Sequence, residues 1–144
     1  MLFKIPAAFI AGLRVESVSD EAVSVSVRRK WINQNPFRSI YFAVLSMAAE
    51  MSTGILGMAA LYKRHPPVSM LIVKIEGSFI KKATGKVVFT CTDGSMVNEA
   101  VERAIATGQG TTVKCASTGV NEQGEIIAEF LCTWSFKARV KHYT

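Results

Sequence analysis

The chain has 144 residues, 49% of them hydrophobic, with 17 Lys and Arg against 11 Asp and Glu for a net charge of +6. The apolar share excludes an intrinsically disordered chain, and the length suits one domain over residues 1–144 with a core of its own. The positive balance favours phosphate-bearing partners, yet the cations are mostly scattered, and Trp31 and Trp134 do not clearly present aromatics among clustered basic residues, so a nucleic-acid surface is not the expected one. Pro6 to Gly12 is a short apolar piece of one or two helical turns. Leu13, Val15 and Val18 lead to a polar Ser19-Asp20-Glu21 turn, after which Val23, Val25 and Val27 alternate with Ser24, Ser26 and Arg28. Period two on both sides of a break predicts a hairpin, its second strand running on through Arg29, Lys30 and Trp31. The loop Asn33-Gln34-Asn35-Pro36-Phe37 stops that strand, because proline biases Asn35 to an extended backbone.

Ser39 to Tyr62 predicts a long helix with Ser39 as its N-cap. Ile40, Val44, Met47, Met51, Ile55, Met58 and Tyr62 recur at the spacing of one helical face, and the other faces are nearly as apolar. A second stripe, Ala43, Ser46, Glu50, Thr53 and Gly57, is small with one acid at its centre. At roughly 1.5 Å per residue the segment is long enough for a bilayer core about 30 Å thick. The central acid, the hydroxyl residues beside it and the strands that follow favour a helix buried in protein, with no transmembrane segment.

Lys63-Arg64-His65-Pro66-Pro67 ends the helix with cations at its negative end and prolines that cannot continue it. Ser69 to Ile80 reads as a strand, with Leu71, Val73 and Ile75 alternating against Ile72, Lys74 and Glu76; Lys86 to Thr92 is another. Asp93 and Ser95 offer caps for an amphipathic helix whose face is Val97, Ala100, Val101 and Ala104, ended by Gly108 and Gly110. Thr111 to Thr118, a turn at Asn121 to Gly124, and Ile126 to Val140 make a last hairpin. The order is β-β-α-β-β-α-β-β, an α+β chain. An antiparallel six-stranded sheet must curl around a helix this apolar, and it covers one side only. A second copy is expected to close the other side, as a homodimer or a dimer of dimers. Cys91, Cys115 and Cys132 lack metal-ligand spacing and lie in strand-like runs, so three buried thiols are expected and no metal. With no secretory cleavage pattern at the start, the expected location is cytoplasmic. His65 beside two prolines reads as a surface loop residue and His142 as a tail residue.

With that element order the chain resembles the hot-dog fold, and within it the phenylacetyl-CoA-type branch of acyl-CoA thioesterases. The likeness is sharpest in NPFRSIYFAVLSMAAE and GSFIKKATGKV. That branch carries an Asn in the loop before the helix, a His-Gly pair at the helix start, and an acid eight residues after the Gly. Counting back from Glu50, Phe42 stands at the Gly and Tyr41 at the His, with Asn35 at the loop Asn. The second segment resembles the branch's aromatic-Leu-Arg-Pro-Ala strand, here Phe79-Ile80-Lys81-Lys82-Ala83, beside which the coenzyme lies. The resemblance implies a curved antiparallel sheet wrapped around a long central helix, an acyl-CoA substrate, and no cofactor beyond the coenzyme A within it. It also implies a site shared between two helices of a dimer.

The residues suggest the same chemistry. Free amides at the Tyr41-Phe42 end of the helix present partial positive charge to a developing oxyanion. Glu50 lies about 12 Å further along the axis, so it serves that end only across a seam between subunits. Desolvation raises its pKa, which suits a general base or a nucleophile. Asn35 is placed to hold water or carbonyl, Ser69 to assist, and Lys81 and Lys82, then Lys86, to meet coenzyme phosphates. Each has a plainer alternative: Glu50 a structural buried acid, Asn35 a turn residue, Tyr41 and Phe42 core, the lysines a solvated strand end. The leading function is hydrolysis of a hydrophobic aliphatic or aryl acyl-CoA thioester. The alternative, favoured by the missing His-Gly pair, is a non-catalytic acyl-CoA or fatty-acid binding protein.

Overall fold

The structure, a computed structural model, describes residues 4–139. The predicted end of the last strand at Val140 and the tail residue His142 lie outside the described residues. The elements are α1 (Pro6–Ile10), β1 (Leu13–Val18), β2 (Val23–Arg28), a 3-10 turn (Trp31–Asn33), α2 (Phe42–Leu61), β3 (Val68–Phe79), β4 (Lys86–Cys91), α3 (Gly94–Thr107), β5 (Thr111–Asn121) and β6 (Ile126–Ala138). The six strands form one sheet in the order β1-β2-β4-β5-β6-β3, every neighbouring pair antiparallel. Val23, Val25, Val27, Val87 and Phe89 point inward from β2 and β4, and Phe130, Trp134 and Phe136 from β6. Together they make the concave wall on which α2 lies.

Register slips occur between Val15 and Ser17 in β1 and between Gly119 and Val120 in β5, but the slip that matters for the faces of an expected strand is in β3. There the register with β6 slips between Ile72 and Lys74, so Ile72 opposes Trp134 while Ile75, not Lys74, opposes Cys132 two steps on. The bulge at Val73 exchanges the faces, which corrects the expectation that Leu71, Val73 and Ile75 share one side. From Val73 to Phe79 the strand is exposed on both faces, and its outer edge is unpaired.

The ends of the helices also differ from expectation. α2 begins at Phe42, and Ser39 does not cap it; no side chain does. Ser39 is drawn into the preceding loop by Asn35. β2 ends at Arg28, because Trp31–Asn33 winds into a 3-10 turn in which buried Asn33 donates to the carbonyls of Ala11 (2.9 Å) and Arg28 (3.0 Å). α3 packs on α2, β5 and β6 through buried Val97, Ala100, Val101 and Ala104, and each valine contributes about 1.5–3 kcal/mol. It ends at Gly108, whose φ of 68° is left-handed. Its first residue must be glycine: a Cβ at Gly94 would stand 2.0 Å from the Asp20 carbonyl oxygen in the β1–β2 turn.

α2 is long and apolar enough to cross a membrane by length and composition, but much of it is buried within this protein. Ser52 and Thr53 pin it there. Ser52 Oγ donates to the Ala49 carbonyl and meets Ser117 Oγ of β5 at 2.7 Å. Trp134 Nε1 donates to Thr53 Oγ1 at 2.8 Å, and that hydroxyl donates in turn to the Glu50 carbonyl at 2.8 Å. Two buried polar pins, each with its partners satisfied, fix the rotation of a helix whose apolar pattern alone would permit several.

Candidate active site

The fixed rotation decides what α2 shows on its far side. The buried residues are Val44, Leu45, Ala48, Ala49, Met51, Ser52, Thr53, Gly54, Leu56, Gly57 and Ala60. Met47 (37% exposed), Met58 (48%) and Tyr62 (74%), members of the apolar face that periodicity picks out, stay open. The sequence could not choose here, since apolar residues run around the whole helix and packing selected the small ones. On the helical period Ala43, Met47, Glu50, Met58 and Leu61 lie along one side, with Glu50 at its centre.

Glu50 is half-buried. Its carboxylate turns along the helix over Gly54, where an added Cβ would lie 3.1 Å from Glu50 Oε1 and 3.2 Å from the Trp134 ring. The indole thus walls the carboxylate on one side, a role for Trp134 that strand alternation in β6 foreshadows by placing it with Cys132 and Phe136. Burial alone raises the Glu50 pKa above the ordinary carboxylate value, with neither a hydrogen bond nor a nearby cation contributing. Such a carboxyl is a stronger base than a solvated one and keeps its oxygens available.

A cavity of about 540 Å³ opens at the other end, around the start of α2. It collects Asn35, Tyr41, Phe42, Lys81 and Lys82 from the predicted set, and adds Leu45, Phe79 and Ile80 as apolar walls. Rings line it edge to face: Tyr41 on Phe42 with centroids 4.9 Å apart, Phe42 on Phe79 at 6.0 Å, and Phe79 on Phe130 at 5.5 Å. Phe42 therefore leans on β3 rather than into the core. No side chain caps α2, so first-turn amides such as those of Phe42 and Ala43 have no partner within the helix, at the end that borders the cavity.

Asn35 is occupied locally. Its Oδ1 accepts from the amides of Phe37 (2.9 Å) and Ser39 (3.2 Å), and Nδ2 donates to Ser39 Oγ at 2.9 Å. That shapes the loop at the cavity rim, the turn role that its place before proline also allowed. The two lysines differ. Lys81 is paired with Glu125, whose carboxyl it holds below the usual range, whereas Lys82 lies over the Phe37 ring, 5.6 Å from its centroid. Among the described residues Lys82 makes no ion pair.

Three predicted groups lie apart from the cavity. Glu50 is two turns along α2. Ser69 donates to the Lys137 carbonyl across the β3–β6 ladder at 3.2 Å, and Lys86 reaches Glu16 at 3.5 Å on the outer side of the sheet. His65 is an exposed loop residue.

The sequence model of the family described as "Domain of unknown function (DUF4442)" matches residues 1–135. No curated protein sequence matches the chain. Among solved structures, a Pseudomonas aeruginosa protein of unknown function described as a probable thioesterase is similar at a TM-score of 0.84 and 20% identity, covering 96% of this chain and 91% of that one. A protein of unknown function from Chlorobaculum tepidum superposes at 0.81 with 12% identity, covering 95% and 89% of the two chains. A thioesterase from Haemophilus influenzae superposes at 0.68 with 13% identity, covering 96% and 87%. At these identities the likeness establishes the architecture: the curved sheet around a central helix is the hot-dog fold.

Proposed function

The chain belongs to the DUF4442 family, and from that premise we propose that it hydrolyses hydrophobic acyl-CoA thioesters as a homodimer, with each site shared between two subunits. One observation carries the reading: Glu50 is half-buried, raised in pKa by burial with no cation to neutralise it, and set where the Trp134 ring of β6 meets the exposed flank of α2 marked by Met47. The resemblance to thioesterases of this fold supports the same chemistry.

The thioester lies at the start of α2, its carbonyl oxygen toward the Phe42 and Ala43 amides, where partial positive charge stabilises the developing oxyanion. Phe42, Leu45, Phe79 and Ile80 suit an aliphatic or aryl acyl group, and Lys82 suits a coenzyme phosphate. Within one chain Glu50 is about 12 Å from those amides, so the base is Glu50 of the partner subunit. That carboxylate takes a proton from water, the oxygen attacks the carbonyl carbon, and the tetrahedral intermediate collapses. The carbon–sulfur bond breaks, the protonated carboxyl returns its proton to the thiolate, and free acid and thiol leave. The bare flank of α2 and the unpaired β3 edge, with Leu71 67% and Val73 58% exposed, are the surfaces that the second subunit covers. Dimers then pair to a tetramer or remain as they are.

A thioesterase screen over aliphatic and aryl acyl-CoAs tests this beside Glu50→Gln and Glu50→Ala. Turnover of at least one class, lost by about 10²–10⁴ in both variants, is expected from removal of a general base. Unchanged turnover in folded variants removes Glu50 from the mechanism. The Phe42 ring, where the family branch has glycine, favours the second reading, a protein that binds acyl-CoA without cleaving it; tight binding with no turnover of any substrate would select it.

A further inference from the structure

Between the β4–α3 corner and β5 the sheet opens. Ladder pairing of β4 with β5 stops at Thr90 and Thr118, one residue before Cys91. Beyond it the Ala116 amide has no partner on β4 and donates instead to Asp93 Oδ2 at 2.8 Å. Asp93 stands at the N-cap of α3, where an aspartate ordinarily accepts from the first turn, yet its side chain makes no cap bond. The carboxylate is turned into the sheet, toward two thiols. Cys91 and Cys115 are both fully buried on the inner face, and Cys91 Sγ lies 3.9 Å from Asp93 Oδ2. The two sulfurs and a carboxylate oxygen all lie within 4.8 Å of one another.

We propose that Cys91, Asp93 and Cys115 form a site for one thiophilic divalent cation, zinc, that clamps the β4–α3 corner to β5. Zinc binds thiolate at about 2.3 Å and carboxylate at about 2.0–2.2 Å, so a tetrahedral set places such donors about 3.5–3.8 Å apart. The present spread exceeds that by about an ångström at most, within reach of side-chain rotation. The donor set, two sulfurs and one oxygen, suits zinc and disfavours magnesium or calcium. The Ala116 amide aims the carboxylate as an outer-sphere partner does in established metal sites. Water takes the fourth position from the half-exposed flank of Asp93. As the two metal–sulfur bonds form, each thiol releases its proton to solvent, leaving the cation held by two thiolates and one carboxylate. Cys132 lies opposite Cys115 on β6 and is not a ligand in this assignment. The site is independent of the thioesterase reading and survives its failure.

The test uses the full chain, reduced with a phosphine and free of chelator, titrated first with Co²⁺ and then with Zn²⁺. Thiolate-to-cobalt charge transfer and tetrahedral visible bands are expected to saturate at one cation per chain, and zinc is expected to abolish them. Cys115→Ser and Asp93→Asn should each weaken binding by more than about tenfold, the loss that even an outer-sphere change produces. Cys132→Ser should leave it intact. Asp93→Asn is the decisive variant if Cys115→Ser fails to fold. The absence of stoichiometric bands overturns the proposal, and so does their persistence in Asp93→Asn or their loss in Cys132→Ser alone.

Discussion

Toward the sheet, α2 presents Ala48, Ser52, Thr53 and Leu56, all buried, and is held there by hydrogen bonds to Ser117 and Trp134. Away from it the same twenty-residue helix offers Met47 and Met58 to solvent, with half-exposed Glu50 between them. The covered side has small residues packed close and polar atoms paired, as a finished core does. The bare side has flexible apolar side chains and a carboxylate raised in pKa without a partner. The first side carries stability. The second is unfinished as a monomer surface, and the proposed chemistry depends on what completes it.

The comparison breaks most sharply at Glu50 itself. Glu50→Gln should cut thioester turnover by about 10²–10⁴ while the folded state persists, as measured by steady-state kinetics beside far-ultraviolet circular dichroism. A charge on the bare flank, Met58→Lys, should split the dimer without unfolding the chain, read as a halved mass in sedimentation equilibrium, with activity falling alongside. On the covered side the expected loss is of stability. Thr53→Val strands the Trp134 Nε1–H and should cost about 1–3 kcal/mol in denaturant unfolding. Lys82→Ala should raise KM several-fold, by about 1 kcal/mol, and more than Lys81→Ala, since Glu125 already engages Lys81.

The smallest effect is the pH dependence of stability. Burial raises the Glu50 pKa in the folded chain, so the fold binds that proton more tightly than the unfolded state does. Its stabilising contribution is whole below the unfolded value, about 4.3, and is lost as pH rises through the folded value. Glu50→Gln should therefore match the wild type in acid and exceed it near neutrality, the difference opening upward in thermal melts. A gap that opened toward acid instead would mean that Glu50 is a structural, paired acid.

Much of the architecture was legible in the residues. Valines alternating with serines specify β2 and Gly108 closes α3, because each of these is a local constraint on a few dihedrals; α2 ends at Leu61, before the prolines, with Tyr62 extended and Lys63 left-handed at φ 54°. Isolating Glu50 within an apolar run was also possible from sequence, since one charge among uncharged residues needs no coordinates to be noticed. The facing of α2 was not legible. Its apolar residues surround the axis, and the choice fell to whether Ser52 and Thr53 could reach Ser117 and Trp134, residues 65 and 81 positions away. The Val73 bulge was hidden for a related reason, because alternation in β3 continues through it and only pairing with β6 reveals the slip. Asp93 has the composition of a cap and was turned from that role by an amide on β5. The sequence by itself thus determined the order and kind of the elements and singled out the one acid in the apolar helix, through local propensity and periodicity. Which side of the helix meets water, and which thiols meet Asp93, only the tertiary structure decided, because those outcomes depend on partners that the chain brings together by folding.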